Sequence, residues 1–213
     1  MKLDYPGYMY TPTHFACTEN DAIDEVMRRY PFATLIGNDA GGLPFATHLP
    51  VVAERSGDSW RIEAHMARAN PHWRWLEQTP KALLVFQGPH GYVSPALYEE
   101  KRSVPTWNYV AVHVYAEIVT VHDAGAKDAL LKRLIAHNEP GYAAQWHDLP
   151  EDFKQKMLGG IVGLRIEPTR IEAKFKLSQN RPATDRARIL AAQREGSAIE
   201  RDMAEWMARM TGA

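Results

Sequence analysis

The sequence predicts a mainly β fold, a closed antiparallel barrel with helices at its periphery. Six or more segments of strand length follow one another at short intervals, and few helical segments stand where they could join parallel strands. The run from Thr106 to His122 alternates apolar and polar residues along its length, which is typical of a long, half-buried strand.

The first predicted element is a short helix that begins near Thr18, has apolar side chains on one face and ends at Pro31. Three strands follow, over residues 32–38, 43–52 and 60–66. Clusters of Gly, Asp and Ser separate these strands, so we expect an antiparallel meander.

The next helix is predicted to start at Asn70-Pro71, because Asn accepts hydrogen bonds from free amides and Pro suits the first helical position. It ends near Pro80, and a strand follows over residues 82–87. The Gly88-Pro-His-Gly91 sequence predicts a turn, after which a loop extends to Pro105.

After the long strand, two helices, two strands and a helical tail are predicted, over residues 123–138, 152–157, 161–166, 171–177 and about 184–210. Pro168 leaves open whether the two strands are one strand broken by proline. With 213 residues, 45% of them hydrophobic, the whole chain, 1–213, is expected to form a single domain.

The charges are nearly balanced: 25 Lys and Arg stand against 26 Asp and Glu, a formal net charge of -1. Such a chain has no global field that would attract it to nucleic acid or to an anionic membrane. Cys17 is the one cysteine, and Met1 to Tyr10 lacks the pattern of a secretion signal. We therefore expect a soluble protein of the cytoplasm.

Several enzyme classes are made unlikely by missing motifs. The sequence has no phosphate loop, no dinucleotide-binding glycine motif, no H-E-x-x-H and no G-x-S-x-G. Common nucleotide hydrolases, zinc proteases and serine hydrolases are therefore poor candidates.

The segment from His65 to Trp73 has the residues of a phosphate site. A strand that delivers His65, Arg68 and Asn70 to the first turn of a helix brings a cation, an amide side chain and free backbone amides together. The alternative is that Asn70 only caps the helix and that Arg68 is a solvated surface charge.

Thr47-His48-Leu49-Pro50 lies late in a strand, where backbone groups can bind the polar rim of a flat heterocycle; alternatively, the strand simply ends at Pro50. His48 is a weak candidate for a metal ligand because no second ligand lies at a tight spacing, and no metal site is predicted.

Aromatic residues repeat at every second position of the long strand, at Trp107 and Tyr109, with His113 on the same face. They predict either a wall against a planar ring or ordinary packing at an interface. The polar residues from Lys174 to Asn180, which leave the last strand, would contact a cofactor or partner, or only solvent.

Taken in order, five motifs resemble the PaiB family of FMN-binding negative transcriptional regulators. The motifs are Met9-Tyr-Thr-Pro-Thr-His-Phe15, His65-Met-Ala-Arg-Ala-Asn-Pro-His-Trp73, Phe86-Gln-Gly-Pro-His-Gly-Tyr-Val-Ser-Pro95, Val104-Pro-Thr-Trp-Asn-Tyr109 and Lys174-Phe-Lys-Leu-Ser-Gln-Asn-Arg181. Two positions depart from the family pattern, Leu97 in place of Trp and Ala116 in place of Gly.

The resemblance implies an FMN-binding split β-barrel, similar to pyridoxamine-phosphate oxidases, that forms a homodimer with flavin sites at the subunit interface. By position, Thr47 to Pro50 would line the isoalloxazine edge, and Arg68, Asn70 and His72 would lie near the ribityl phosphate. The full set that the resemblance assigns to the cofactor is Thr47, His48, Leu49, Pro50, His65, Ala67, Arg68, Asn70, Pro71, His72, Trp107, Asn108, Lys176, Ser178, Gln179 and Asn180.

Three functions follow as hypotheses. The first is a regulator that uses FMN as a ligand or redox sensor, with DNA or a regulatory protein as its partner, although the chain has no basic stripe and no evident helix-turn-helix. The second is an FMN-dependent oxidoreductase or flavin reductase that takes electrons from a nicotinamide donor at the charged loop Tyr98–Arg102. The third is a haem-binding split barrel.

Overall fold

The computed structural model describes residues 9–212 of the chain. Seven strands form one sheet, and they are β1 (Ala16–Cys17), β2 (Phe32–Asn38), β3 (Pro44–Ser56), β4 (Ser59–Ala67), β5 (Lys81–Val93), β6 (Thr106–Val121) and β7 (Ile161–Lys176). Seven α-helices lie between or after them: α1 (Asn20–Arg29), α2 (His72–Gln78), α3 (Ala124–Asn138), α4 (Tyr142–Asp148), α5 (Glu151–Gly159), α6 (Ala183–Arg194) and α7 (Ala198–Thr211).

The strand order is β1-β7-β4-β3-β2-β5-β6, and a further pairing between β7 and β6 closes the sheet into a barrel. The pairs β1–β7, β2–β3, β2–β5, β3–β4 and β4–β7 are antiparallel. The prediction of a mainly β, antiparallel split barrel with peripheral helices is therefore confirmed.

The chain divides into two compact units. Unit 1 contains the described residues up to Val26, residues 87–112 and residues from 172 onwards; unit 2 contains residues 27–86 and 113–171. Three long strands, β5, β6 and β7, run through both units. That residues 1–213 act as a single domain stays a prediction.

Each unit has its own buried side chains. Among the most deeply buried in unit 1 are Val110, Val112, Phe175, Leu177, Ile189, Met203 and Trp206. In unit 2 they include Leu35, Ile62, Leu76, Leu84, Phe86, Leu130, Leu164 and Ile166. The alternation predicted for the long strand is confirmed, because Val110, Val112 and Val114 are fully buried whereas Trp107 is 53% exposed.

The turn predicted at Gly88-Pro-His-Gly91 is wrong, because β5 continues without a break to Val93. Neither glycine has the left-handed backbone of a tight turn. A Cβ atom at Gly88 would lie 3.1 Å from the Cβ of Val110, so this glycine lets two strands approach closely.

Residues 161–176 form one strand, which answers the question left open at Pro168. The pairing of β7 with β4 ends at Ile166, and its pairing with β1 involves Ala173 and Lys174. Pro168 lies between these two paired stretches, where its missing N–H breaks neither ladder.

The tail predicted as one helix over about 184–210 is two helices, α6 and α7. The break is explained by a capping box: the Ser197 side chain binds the backbone N–H of Glu200, and the Glu200 side chain binds the N–H of Ser197. A further helix, α4, occupies part of the segment predicted to be irregular before residue 152, and the Trp146 indole N–H anchors it to the Asp128 carboxylate at 2.9 Å.

Candidate functional site

Three polar side chains meet in unit 2 where α2 begins. The Asn70 Oδ1 atom accepts a hydrogen bond from the backbone N–H of His72 at 3.0 Å, and Asn70 Nδ2 donates to Thr47 Oγ1 at 3.1 Å. His72 Nδ1 lies 2.9 Å from the same hydroxyl oxygen. Residues 25 positions apart in sequence therefore form one hydrogen-bonded cluster, which we call the threonine cluster (Thr47, Asn70 and His72).

The alternation of β3 divides the predicted segment Thr47–Pro50 between two faces. Leu49 is buried and Thr47 is half-buried on the same side of the strand, whereas His48 and Pro50 are exposed on the other side. His48 Nδ1 lies 2.9 Å from the Thr34 hydroxyl on β2. The four side chains of this segment therefore do not all face one site.

The ring of His72 is closely packed on several sides. Its ring is completely buried and makes an edge contact with Phe45, at 5.0 Å between ring centroids, while Phe45 makes a second edge contact with Trp75. A Cβ atom at Gly37 would lie 2.8 Å from His72 Nε2, so glycine makes room for the ring. Sequence reasoning missed Gly37, Phe45 and Trp75, although Phe45 lies two residues before Thr47 and Trp75 three residues after His72.

Arg68 is bound to backbone rather than left free in solvent. Its Nε donates to the Gly159 carbonyl at 2.7 Å, and its backbone N–H donates to the Gly160 carbonyl at 2.8 Å. The ammonium of Lys127, which is 3% exposed, donates to the neighbouring Leu158 carbonyl at 2.5 Å. Two cations thus stabilise the C-terminal end of α5, where the helix dipole is negative.

The other predicted residues of this region lie around the same junction. His65 pairs with Gly163 of β7, and Ala67, at the end of β4, pairs with Ile161. Pro71 is the N-cap of α2, so the helix begins at His72, one residue later than predicted. The first amide of α2 donates to Asn70, and a phosphate site at this junction stays a prediction.

Unit 1 holds a second polar group of predicted residues. Ser178 Oγ donates to Asn108 Oδ1 at 3.0 Å, and both residues are buried. The ammonium of Lys176 donates to the Thr106 hydroxyl, and burial, followed by the nearby Lys174 and Arg181 charges, lowers its pKa.

Backbone geometry distinguishes Ser178 from the rest of this group. Among residues 9–212 it is the one non-glycine residue with a positive φ, 61°. This conformation is costly for a residue with a side chain, and such strain is often found at functional sites.

The side chain of Gln179 forms hydrogen bonds with two backbone groups. It accepts from the N–H of Leu177 at 2.7 Å and donates to the carbonyl of Phe175 at 2.5 Å, so it closes the end of β7. Asn180 is exposed.

Trp107 lies beside His90 and Tyr92, with ring centroids 6.0 Å and 5.8 Å away, and keeps about half of its surface exposed.

Both units contain buried polar atoms that lack hydrogen-bond partners within the described part of the chain. They include Asn108 Nδ2 in unit 1 and His72 Nε2 and His65 Nδ1 in unit 2. An unpartnered buried amide such as that of Asn108, together with the Lys176 ammonium, suits a ligand with acceptor oxygens and a negative charge, as FMN has. Considered separately, the polar groups of each unit are chemically compatible with this cofactor.

The two histidines predict a pH dependence of stability. Burial lowers the pKa of His65 and of His72, so the unfolded chain binds more protons than the folded one just below the unfolded pKa of about 6.5. Stability is therefore full above this pH and is lost as the pH falls through the folded pKa values. We expect the midpoint temperature of thermal unfolding to decrease as the pH is lowered from about 7.5 to about 5.

The variant His72→Gln should flatten this dependence, whereas His147→Gln, at an exposed position, should leave its slope unchanged. Equal slopes in the wild type and in His72→Gln would contradict the assignment to His72. Circular dichroism melts at a series of pH values provide the measurement.

No group of three or more His, Cys, Asp or Glu residues within 9–212 is arranged to hold a metal ion. None of the helices described here is long and apolar enough to cross a membrane.

Comparison with known proteins identifies similar sequences. Residues 9–170 match the model of a family described as "Putative FMN-binding domain". The chain is 34% identical over 203 residues to the protease synthase and sporulation protein PAI 2 of Bacillus subtilis, and this alignment covers 93% of the chain and 96% of the relative.

Solved structures share the fold at low sequence identity. The flavocytochrome Anf3 of Azotobacter vinelandii has a TM-score of 0.59 at 18% identity, covering 76% of this chain and 69% of that one. The FAD and haem binding protein of Mycobacterium smegmatis has a TM-score of 0.53 at 21% identity, covering 85% and 80%. At these identities the similarity establishes the fold alone.

Proposed function

Because this chain belongs to the PaiB family of FMN-binding domains, we propose that it is a flavoprotein that holds FMN with polar side chains of its barrel. The observation that carries the proposal is the threonine cluster, a preformed hydrogen-bonding group within the stretch that matches the family model. FMN, when bound, accepts and releases electrons at its isoalloxazine ring.

In this proposal the chain's own residues bind and orient the ligand. Thr47 and Asn70 supply hydrogen bonds, His72 holds Thr47 in place, and the guanidinium of Arg68 supplies positive charge. Unit 1, taken by itself, offers an amide donor at Asn108 and an ammonium group at Lys176. His65 of unit 2, and Trp107, Ser178, Gln179 and Asn180 of unit 1, are also proposed as flavin-binding residues of their own units.

The first experiment is the absorption spectrum of freshly purified protein, followed by release and identification of the chromophore. An oxidised flavin spectrum with FMN as the released compound is the expected result. A colourless protein that also takes up no added FMN would refute the proposal. Release of FAD would correct the cofactor, and a Soret band would favour the haem alternative instead.

We propose a regulatory role for this flavoprotein, by analogy with the sporulation protein PAI 2, to which it is similar over nearly its whole length. The flavin would serve as ligand or redox sensor, and the output would be binding to DNA or to a regulatory protein. Fluorescence anisotropy with labelled genomic fragments, comparing oxidised and reduced protein, measures this directly. Equal and salt-sensitive binding to every fragment would contradict a sequence-specific regulator.

An oxidoreductase is the second candidate, and the loop Tyr98–Arg102 favours it. Lys101 and Arg102 are exposed, while the loop is fixed by a 3.0 Å hydrogen bond from the Glu99 N–H to the Asp185 carboxylate. Exposed cations on an anchored loop suit the phosphates of a nicotinamide donor. Bleaching of the flavin by NADH or NADPH without oxygen, reduced in Lys101→Ala with Arg102→Ala, is expected for this function.

We also propose that the protein is a cytoplasmic homodimer with flavin sites at the subunit interface. The half-exposed Trp107 and the exposed Val104 in unit 1 support an apolar contact surface. The cysteine thiol at Cys17 is free and buried, which suits a reducing compartment. Light scattering that finds a monomer with bound FMN would contradict the shared site.

A further inference from the structure

The orientation of the Asn70 amide is fixed by its backbone partner. The N–H of His72 is a donor, so the atom of Asn70 that faces it at 3.0 Å is the oxygen. The amide nitrogen of Asn70 therefore faces Thr47 and donates a hydrogen bond to its hydroxyl oxygen at 3.1 Å. One lone pair of the Thr47 oxygen is thus occupied.

The protonation state of His72 follows from its surroundings. The ring is fully buried, and burial lowers its pKa, so the imidazole is neutral and carries a single N–H. Nε2 faces Gly37 and has no polar partner among the described residues, whereas Nδ1 lies 2.9 Å from Thr47 Oγ1. Buried N–H groups without partners are rarer than buried acceptors without partners, so the proton belongs on Nδ1.

With this tautomer the Thr47 oxygen accepts two hydrogen bonds, one from Asn70 and one from His72. Both of its lone pairs are then used, and its own hydroxyl hydrogen has no acceptor in the cluster. Thr47 is half-buried, so part of the residue's surface is open to contact with a bound molecule.

We propose that Thr47 is a hydrogen-bond donor of fixed polarity, whose partner is an unprotonated oxygen or nitrogen atom of the bound flavin. This inference rests on the proposed function. A hydroxyl group usually donates or accepts as its partner requires. Here Asn70 and His72 occupy both lone pairs of the Thr47 oxygen, so this hydroxyl can only donate to a ligand. A ligand that presents an N–H or O–H group at this position would place its own donor against the donating Thr47 hydroxyl. Such a ligand would be rejected.

The first test does not require flavin. In the ligand-free protein, long-range ¹H–¹⁵N NMR of the histidine rings distinguishes an Nδ1–H from an Nε2–H tautomer, and the variant His72→Gln assigns the signal. A neutral His72 protonated at Nδ1 is the expected result. Protonation at Nε2 would mean that Thr47 donates to the ring, and this would overturn the proposal.

The second test measures the affinity of the apoprotein for FMN and for riboflavin. Thr47→Val keeps the shape but removes the hydroxyl, and we expect it to weaken FMN binding about tenfold or more, while Thr47→Ser restores most of the affinity. The control is Thr169→Val, which removes a hydroxyl that donates to the Tyr115 carbonyl at 3.0 Å elsewhere in unit 2.

Comparison of the two flavins locates the acceptor. An equal loss for FMN and riboflavin would place it on the ring or ribityl chain, and a loss for FMN alone would place it on the phosphate. Wild-type affinity in Thr47→Val would overturn the donor role while leaving the proposed function intact. Failure of the wild type to bind either flavin would instead refute the proposed function, and with it a flavin acceptor for Thr47.

Discussion

Valine in place of Gly37 is expected to destabilise the protein by about 2 kcal/mol and to weaken FMN binding by about tenfold or more. A Cβ at this position would lie 2.8 Å from His72 Nε2 and 3.0 Å from Leu76 Cδ2, and both residues are fully buried. The His72 ring must therefore move, and its contact with Thr47 must lengthen. Urea denaturation and flavin titration measure the two effects.

The matched control is Gly141→Ala, also in unit 2, where an added Cβ meets nothing within 4 Å and φ is -63°. It should change neither quantity appreciably. A Gly37→Val protein with wild-type stability and affinity would show that the position of His72 is not decisive for the site.

Removal of the Glu63 carboxylate is expected to cost about 3 kcal/mol of stability. Glu63 is 8% exposed, and it accepts two hydrogen bonds from Arg133, from Nε at 2.5 Å and from Nη2 at 2.8 Å. This bidentate contact raises the pKa of Arg133. Glu63→Ala removes the hydrogen-bonded partner of the Arg133 guanidinium and leaves Glu54 as the other carboxylate that acts on it.

A double-mutant cycle with Arg133→Met tests the reason for the loss. Because the double variant lacks both charges, it should be more stable than Glu63→Ala alone. The control is the exposed pair Arg61–Glu54 on the neighbouring strands, at 3.5 Å, where Glu54→Ala should cost less than about 1 kcal/mol. Equal losses for Glu63→Ala and Glu54→Ala would contradict the prediction.

The sequence predicted the elements that depend on local chemistry. The bounds of β2 agree with the prediction at both ends, because Pro31 precedes it and an Asp-Ala-Gly-Gly turn follows. The extension of β5 through Gly88 could not be predicted, because glycine at a close approach of strands and glycine in a turn look alike in sequence. The capping box at Ser197 indicates a break in the tail, but the apolar stripe along the tail favoured the prediction of one continuous helix.

The candidate site was predicted in part. The pairing of Asn70 with the first amide of α2 follows from a local capping pattern. Thr47 joins that pair only through tertiary structure, since it depends on how β3 lies against α2 in the folded unit. Sequence also could not show that the Arg68 side chain binds the Gly159 carbonyl at the end of α5, because that contact joins residues 91 positions apart.

The path of β5, β6 and β7 through both units affects how the chain folds during synthesis. Unit 1 is assembled from three separated stretches, and the last begins only at residue 172. The N-terminal stretch must therefore wait until residues 172 onwards have left the ribosome before its pairing of Ala16 with Lys174 can form. Such contacts between distant residues give a high contact order, so we expect slow folding and little independent structure in N-terminal fragments.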